Sequence, residues 1–324
     1  MLRTPFCELF GIEHPIIQAP IWPAASPELA AAVCNAGGLG SIAAVFGSAE
    51  RVREHLARVR ELTDRPFAVN HVVPFLNEEA FVLTLGARPA VISISLGDPG
   101  DLVRRAHDAG ARVIHQVHTV QQAQEAAERG VDAIIAQGSE AGGQGMALGV
   151  GSMALIPQVV DAVRPIPVLA AGGIGDGRGL AAALVLGAQG VNIGTRFIAS
   201  SEASADEEWK QAVLSSRSED VVRFEEWQEI FPREAAAAYP ATPRVLRSPF
   251  VDKWRGRPEA VRQAAPELHE EIMAVVREHR LDKILWFAGQ TAGLIHEVAP
   301  AERIVREIVA EAEHALTDTL RLKG

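Results

Sequence analysis

The sequence predicts an α/β chain closed into a (β/α)8 TIM barrel, with a smaller, mainly helical domain inserted after the eighth strand. Three observations predict it. Eight short runs rich in Val and Ile alternate with longer segments of helical spacing. The runs stay apolar throughout, as parallel strands covered on both faces must. From about Ile198 this alternation gives way to charge and tryptophan.

Along the chain the eight runs are residues 15–19 (PIIQA), 39–43 (LGSIA), 67–72 (FAVNHV), 91–96 (VISISL), 112–117 (RVIHQV), 132–137 (DAIIAQ), 167–171 (PVLAA) and 190–194 (GVNIG). Their lengths and flanking turn residues fit buried strands. Between them, residues 26–36, 49–62, 99–109, 120–129, 154–163 and 179–186 repeat Ala, Val and Leu at helical spacing. Eight β-then-α units favour a closed barrel over an open doubly wound sheet. The stretches DEEWKQAV, SEDVVRFEEWQEIFP and VDKWRGRP contain no convincing strand and read as an inserted helical region; Trp209, Trp227, Trp254 and Trp286 could line an apolar substrate pocket beneath it, and most of them are expected in its core. The run from Pro300 is amphipathic and reads as the last barrel helix. The expected division is a barrel from 1–200 and 285–324, and a lid or substrate domain from 201–284.

Composition narrows the function classes. A formal net charge of −10 repels a polyphosphate backbone and an anionic bilayer, so no nucleic acid and no membrane partner is expected. Only two cysteines argue against a disulfide framework and point to a reducing, cytoplasmic compartment. The first residues, with Glu8 and Glu13, resemble neither a signal nor a transit peptide. His115 and His118 form an HxxH, but alternation on a strand sends them to opposite faces, so no metal site is expected.

In such a barrel the chemistry lies at the C-terminal strand ends. After the seventh and eighth runs come AAGGIGDGRG and NIGTRF, where glycine lets backbone N–H groups approach a phosphate. Tight βα turns alone would also use glycine there. The loop AQGSEAGGQGMALGVG after the sixth run is long for a βα connection, as ligand-binding loops are.

Together, PIIQAPIW, NAGGLGSI, FAVN, AQGSEAGG, VLAAGGIGDGRG, VNIGTRF and WFAGQTAGLI, in this order from about residue 4 to about residue 315, resemble the nitronate monooxygenase family, formerly called 2-nitropropane dioxygenases. The resemblance implies non-covalent FMN, a lid-like insertion and a small substrate over the flavin ring. It places Ala19, Pro20 and Ile21 along the isoalloxazine and Asn70 near its polar edge. Gly172 and Gly173 with Gly194 and Thr195 then clamp the phosphate, and Gly142 and Gly143 pass beside the ring. Two departures matter. Where the family continues from the glycine pair into a histidine, this chain has Gln144, and where its fifth strand carries a lysine, this chain has Gln116. Glutamine cannot take a proton at neutral pH. The reading is therefore oxidation of nitronates, which are already deprotonated, with O2 as co-substrate. His71 and His118, near strand ends, are the alternative bases. The rival readings are an NAD(P)H-dependent reductase of a quinone or enoyl-type acceptor, and a catalytically degenerate flavin-binding protein. A homodimer is a possible assembly.

Overall fold

The computed structural model describes residues 2–45, 48–146, 149–231 and 241–321. In chain order, β1 Ile16–Gln18, β2 Ser41–Ala43, β3 Ala68–Val72, β4 Val91–Ser95, β5 Arg112–Val117 and β6 Ala133–Gln137 are followed by β7 Gly143–Met146, β8 Val168–Ala171 and β9 Gly190–Ile193. All of these except β7 form one parallel sheet ordered β1-β9-β8-β6-β5-β4-β3-β2. Leu39 closes it into a barrel: its N–H donates to the Ile16 carbonyl (2.9 Å), and its carbonyl accepts from Gln18 N–H (3.0 Å).

Side-chain alternation divides each strand between two cores. Ile17, Ala68, Val91, Ile114, Ile135 and Leu169 meet inside the barrel, and the helix Pro5–Phe10 plugs its lower end with Phe6 and Phe10. Residues one position away, such as Ile92, Val113, Ile134 and Val191, pack against the outer helices. Further along the inward-facing positions the lining turns polar: Asn70, Ser93, Ser95, Gln137 and Asn192 are all buried there. The barrel thus has an apolar floor and a polar mouth.

The helix Ala301–Arg321 buries Ile304, Val305, Ile308, Val309 and Ala312. It lies on the helix Gly177–Val185 so closely that a Cβ on Gly177 would come within 2.5 Å of the Ala312 nitrogen. It is the last barrel helix, as its pattern indicates. No described helix is long and apolar enough to cross a membrane.

Residues 201–284 hold helices Glu207–Ser215, Pro249–Trp254, Pro258–Gln263 and Ala265–Arg277, but also two strands, β10 Val221–Arg223 and β11 Ala241–Leu246. They form an antiparallel sheet ordered β10-β11-β7, in which β11 pairs with the long loop through Arg244↔Gly143, Pro243↔Gln144 and Thr242↔Gly145. The sequence reading expected no strand here. Neither segment signals one alone: VVR has three residues in a charged context, ATPRVL contains a proline, and the partner GQGM has no β-branched residue. A separate core packs Trp209, Phe224, Val245, Ile272 and Leu285, and Trp209 Nε1 donates to the Phe287 carbonyl at 3.2 Å. Trp227, Trp254 and Trp286 lie half-buried against this core.

Three histidines are buried in or beside the barrel wall. His71, on the outer face of β3, packs edge-on against Phe81 (ring centroids 5.0 Å apart), and its Nε2 lies 3.1 Å from Thr84 Oγ1. Thr84 spends its one proton on the Ala80 carbonyl (2.9 Å), so His71 Nε2–H is the donor of that pair. His115 Nδ1 lies 3.1 Å from the Ile94 carbonyl, which can only accept. Burial pushes His71, His115 and His118 each down to about 4. An unfolded chain takes up these protons near pH 6.5 while the fold refuses them, so their stabilisation is present above about pH 6.5 and is lost as pH falls towards 4. Each contributes up to about 1.4 kcal/mol per pH unit in that window. Thermal melting should shift steeply downward between about pH 6.5 and about pH 4.5, and His71→Gln should blunt the slope by up to about 1.4 kcal/mol per pH unit. An unchanged slope in the variant would remove His71 from this account.

Candidate active site

The polar mouth of the barrel opens into a cleft of about 480 Å³, including space open to solvent. Its floor comes from strand ends: Gln137 from β6, Ala171 from β8 and Asn192 from β9. One wall is Ala19 and Ile21 after β1, and another is the 140–143 segment of the long loop. Phe287, Ala288, Gly289 and Thr291 complete it. This last segment is held by its backbone: Gly289 N–H donates to Thr195 Oγ1 at 2.8 Å and Gln290 N–H to the Glu140 carbonyl at 2.9 Å. A Cβ on Gly142 would stand 2.4 Å from the Ala288 carbonyl carbon, so only glycine lets the loop run this close to it.

Gly172 and Gly173 adopt φ of +94° and +73°, a left-handed path that few residues other than glycine follow. Among the described residues, the N–H groups of Gly172, Gly173 and Thr195 donate to no backbone carbonyl. Two adjacent strand ends therefore present free donors to one end of the cleft, as an oxyanion requires. The later glycines of AAGGIGDGRG do otherwise. Gly177 serves helix packing, and Asp176 caps its own helix by accepting from Gly179 N–H at 3.1 Å.

The cleft lining includes one ionisable side chain among the described residues, Glu140. Its carboxylate accepts from Ser152 N–H at 3.0 Å and from Ser152 Oγ at 3.1 Å, at the start of the helix Ser152–Val163. Asn192 Oδ1 is buried with no hydrogen-bond partner and belongs to the same lining. A buried carbonyl oxygen without a donor is costly, so it marks where a ligand N–H or O–H would be received.

Of the residues singled out in the sequence, Ala19, Ile21, Gly142, Gly143, Gly172, Gly173, Gly194 and Thr195 converge on this cleft. Pro20 lies between two of them. Asn70 faces the barrel interior but is engaged there, its Nδ2 reaching Ser93 Oγ and Ser95 Oγ, each at 3.3 Å. Gln116 shares the inward register of Ile114 on β5 and lines neither this cleft nor the smaller cavity beside it. Gln144 sits on β7 opposite Pro243; its carbonyl accepts from Gln137 Nε2 at 3.2 Å, and it too lines neither space. His71 points away from the interior towards Thr84 and Phe81. His118 lines the smaller cavity, its backbone N–H held by Gln122 Oε1 at 2.8 Å. Sequence reasoning assigned no role to Asn192, Glu140 or the Phe287–Thr291 segment. An asparagine at an inward position of an otherwise apolar strand was the one available signal.

The comparisons with known proteins follow the same elements. The model of the nitronate monooxygenase family matches residues 3–80 and 77–311. A probable nitronate monooxygenase from Staphylococcus saprophyticus is 34% identical over 267 residues, covering 68% of this chain and 75% of its own. A (3aS,4S,5R,7aS)-5-hydroxy-7a-methyl-1-oxo-octahydro-1H-indene-4-carboxyl-CoA dehydrogenase from Mycobacterium tuberculosis is 39% identical over 220 residues, 66% of this chain and 61% of that protein. Among solved structures, FabK from Thermotoga maritima superposes with a TM-score of 0.86 at 32% identity, covering all of both chains. A nitroalkane oxidase from Streptomyces ansochromogenes gives 0.80 at 28% identity, over 97% of this chain and 99% of its own. With barrel, long loop and cleft-closing segment all inside the matched span, this chain is an oxidoreductase that belongs to the nitronate monooxygenase family.

Proposed function

We propose that the protein is an FMN-dependent enzyme that oxidises a small, already ionised carbon acid of the nitronate type, with O2 closing the cycle. The observation that carries this reading is that the described cleft lining holds no histidine or lysine and a single carboxylate, Glu140, whose oxygens already accept from Ser152 N–H and Oγ. The residues present fit FMN. The unpaired amides of Gly172, Gly173 and Thr195 would take its phosphate, Ala19 and Ile21 offer an apolar wall for its ring, and Asn192 Oδ1 would accept from a polar edge. Bound there, FMN supplies a two-electron acceptor that O2 can reoxidise. The chain's own part is to orient the substrate, limit water through the Phe287–Gly289 segment and leave the substrate's charge uncompensated by any proton. We assign residues 201–284 to the substrate side of the site, through β10 and β11, while 1–200 and 285–324 carry the cofactor side.

A second reading, an NAD(P)H-dependent reductase of a quinone or enoyl-type acceptor, draws on the full-length likeness to FabK and on the relative named for a carboxyl-CoA substrate. It needs no base at the flavin either. Anaerobic titration of the FMN-loaded protein with propyl-2-nitronate, NADH and NADPH, following flavin absorbance, separates the two. Bleaching by the nitronate alone supports the proposal. Bleaching by nicotinamide alone transfers the assignment to the reductase, and bleaching by none leaves a flavin-binding protein without this chemistry.

A further inference from the structure

Beside the cleft lies a smaller, narrow recess of about 230 Å³, including space open to solvent, that shares Gln137 and Ala141 with it. Two arginines, Arg223 and Arg244, line it together with His118, Ser139 and Thr242. They are Cα partners on adjacent antiparallel strands, β10 and β11, so their side chains leave the same face of the sheet. Like charges placed directly opposite one another disfavour a sheet unless something negative lies between them.

No carboxylate among the described residues forms an ion pair with either guanidinium, whose side-chain hydrogen bonds go to carbonyls. Arg223 donates to the carbonyls of Met146 (2.6 Å) and Ser139 (3.5 Å), and Arg244 Nη1 reaches the Val221 carbonyl at 3.5 Å. Carbonyls orient a cation without neutralising it. Arg244 Nε is buried and has no partner. Glu140 is felt by Arg244 at a distance, without an ion pair and with its oxygens oriented by Ser152, and the acid felt by Arg223 is the exposed Glu225. Burial and then the Arg223 charge push the Arg244 guanidinium down to about 10, so it remains a cation at neutral pH.

From this geometry we infer that the Arg223 and Arg244 pair is a second anion subsite, which receives a carboxylate or phosphoryl group carried by the substrate while its reacting carbon lies across Gln137 in the cleft. Guanidinium forks suit both groups because each presents paired oxygens. The inference deepens the proposed function, since it makes the substrate doubly anionic: one charge at the reacting carbon, another at the arginines.

Redox-inert probes test the subsite separately from the chemistry. Isothermal titration calorimetry of the purified flavin-loaded protein with malonate, inorganic phosphate and neutral malonamide would compare wild type with R223Q, R244Q and R244K. Wild type should bind malonate or phosphate saturably, R223Q and R244Q should bind at least about tenfold more weakly, and R244K should recover part of the affinity. Malonamide should show no such dependence. Tighter malonate assigns a carboxylate, and tighter phosphate a phosphoryl group. If R223Q melts early because Arg223 also holds the 139–146 loop, R244Q against R244K decides alone. No saturable anion binding by wild type, or equal affinities across the variants, would overturn the subsite. A protein whose flavin no nitronate reduces would still bind the probes, whereas a nitronate oxidase without this subsite would be reduced and bind neither.

Discussion

Gly172→Val is expected to yield a folded protein that no longer retains FMN. Gly172 has φ +94°, and a Cβ there would stand 3.0 Å from both the Ala141 nitrogen and the Gly138 carbonyl oxygen. Both contacts are backbone atoms, so the added side chain cannot be accommodated by turning a neighbouring rotamer. Left-handed strain on a β-branched residue costs about 1–2 kcal/mol, and overpacking against a fixed loop adds about 1–3. The path that relieves both is to swing the 172–174 turn away from the 138–141 loop, which moves the unpaired amides off the phosphate. The sum, about 2–5 kcal/mol, corresponds to roughly 30-fold to 4,000-fold weaker retention. Gly130→Ala is the matched control: φ is +81° there, nothing lies within 4 Å of the added atom, and the residue is not part of the cleft lining. It should cost about 1 kcal/mol and leave the cofactor in place. The check is the flavin-to-protein ratio after gel filtration, beside the melting temperature. A Gly172→Val protein that melts lower yet holds FMN stoichiometrically would reduce the glycine pair to a tight turn.

The barrel was legible because each of its strands is buried on both faces and so announces itself within its own five or six residues. The β10-β11-β7 sheet was not, because its stability comes from pairing across about 100 residues of chain and no member carries enough local β preference to show alone. The same division runs through the site. Gly172, Gly173, Gly194 and Thr195 could be placed from chain position, since they follow the last two barrel strands directly. Arg223 and Arg244 could not: what makes them a pair is a register between two strands that the sequence does not reveal. The histidines mark an intermediate case. Asn70 and His71 are neighbours on β3, so alternation allows only one of them to face the interior, but Ala68 and Val69 are both apolar and do not say which. The fold decides it, with Ala68 in the inner core and Val69 in the outer one, and so turns His71 away from the site.

The protein is expected to oxidise propyl-2-nitronate at least about 10²-fold to 10⁴-fold faster than neutral 2-nitropropane near pH 7, the range that a positioned general base contributes. None of the candidate bases can close that gap. His71 faces the outer helices, Gln144 cannot take up a proton at neutral pH, and Glu140 is engaged by Ser152. His118 is nearest in position, lining the adjoining cavity, but burial, with the charges of His115 and Arg223, pushes it down to about 4. A base that weak is neutral at pH 7 yet takes a carbon-bound proton poorly, because proton transfer is best served by a pKa close to the working pH. The pH dependence follows with a definite sign. For the nitronate, kcat/KM should be level between about pH 6 and about pH 8, since His118 stays neutral and Arg244, held at about 10, stays charged. For the nitroalkane, the rate should follow the ionised fraction of the substrate in water and no group on the protein, climbing about tenfold per pH unit below the substrate's own pKa and levelling off above it. Steady-state oxygen uptake with both substrates across this range decides the matter. Comparable rates, or a sigmoid for the nitroalkane with its midpoint well below the substrate's own pKa in water, would mean that a protein base takes the proton and that the cleft works differently from the chemistry of its walls.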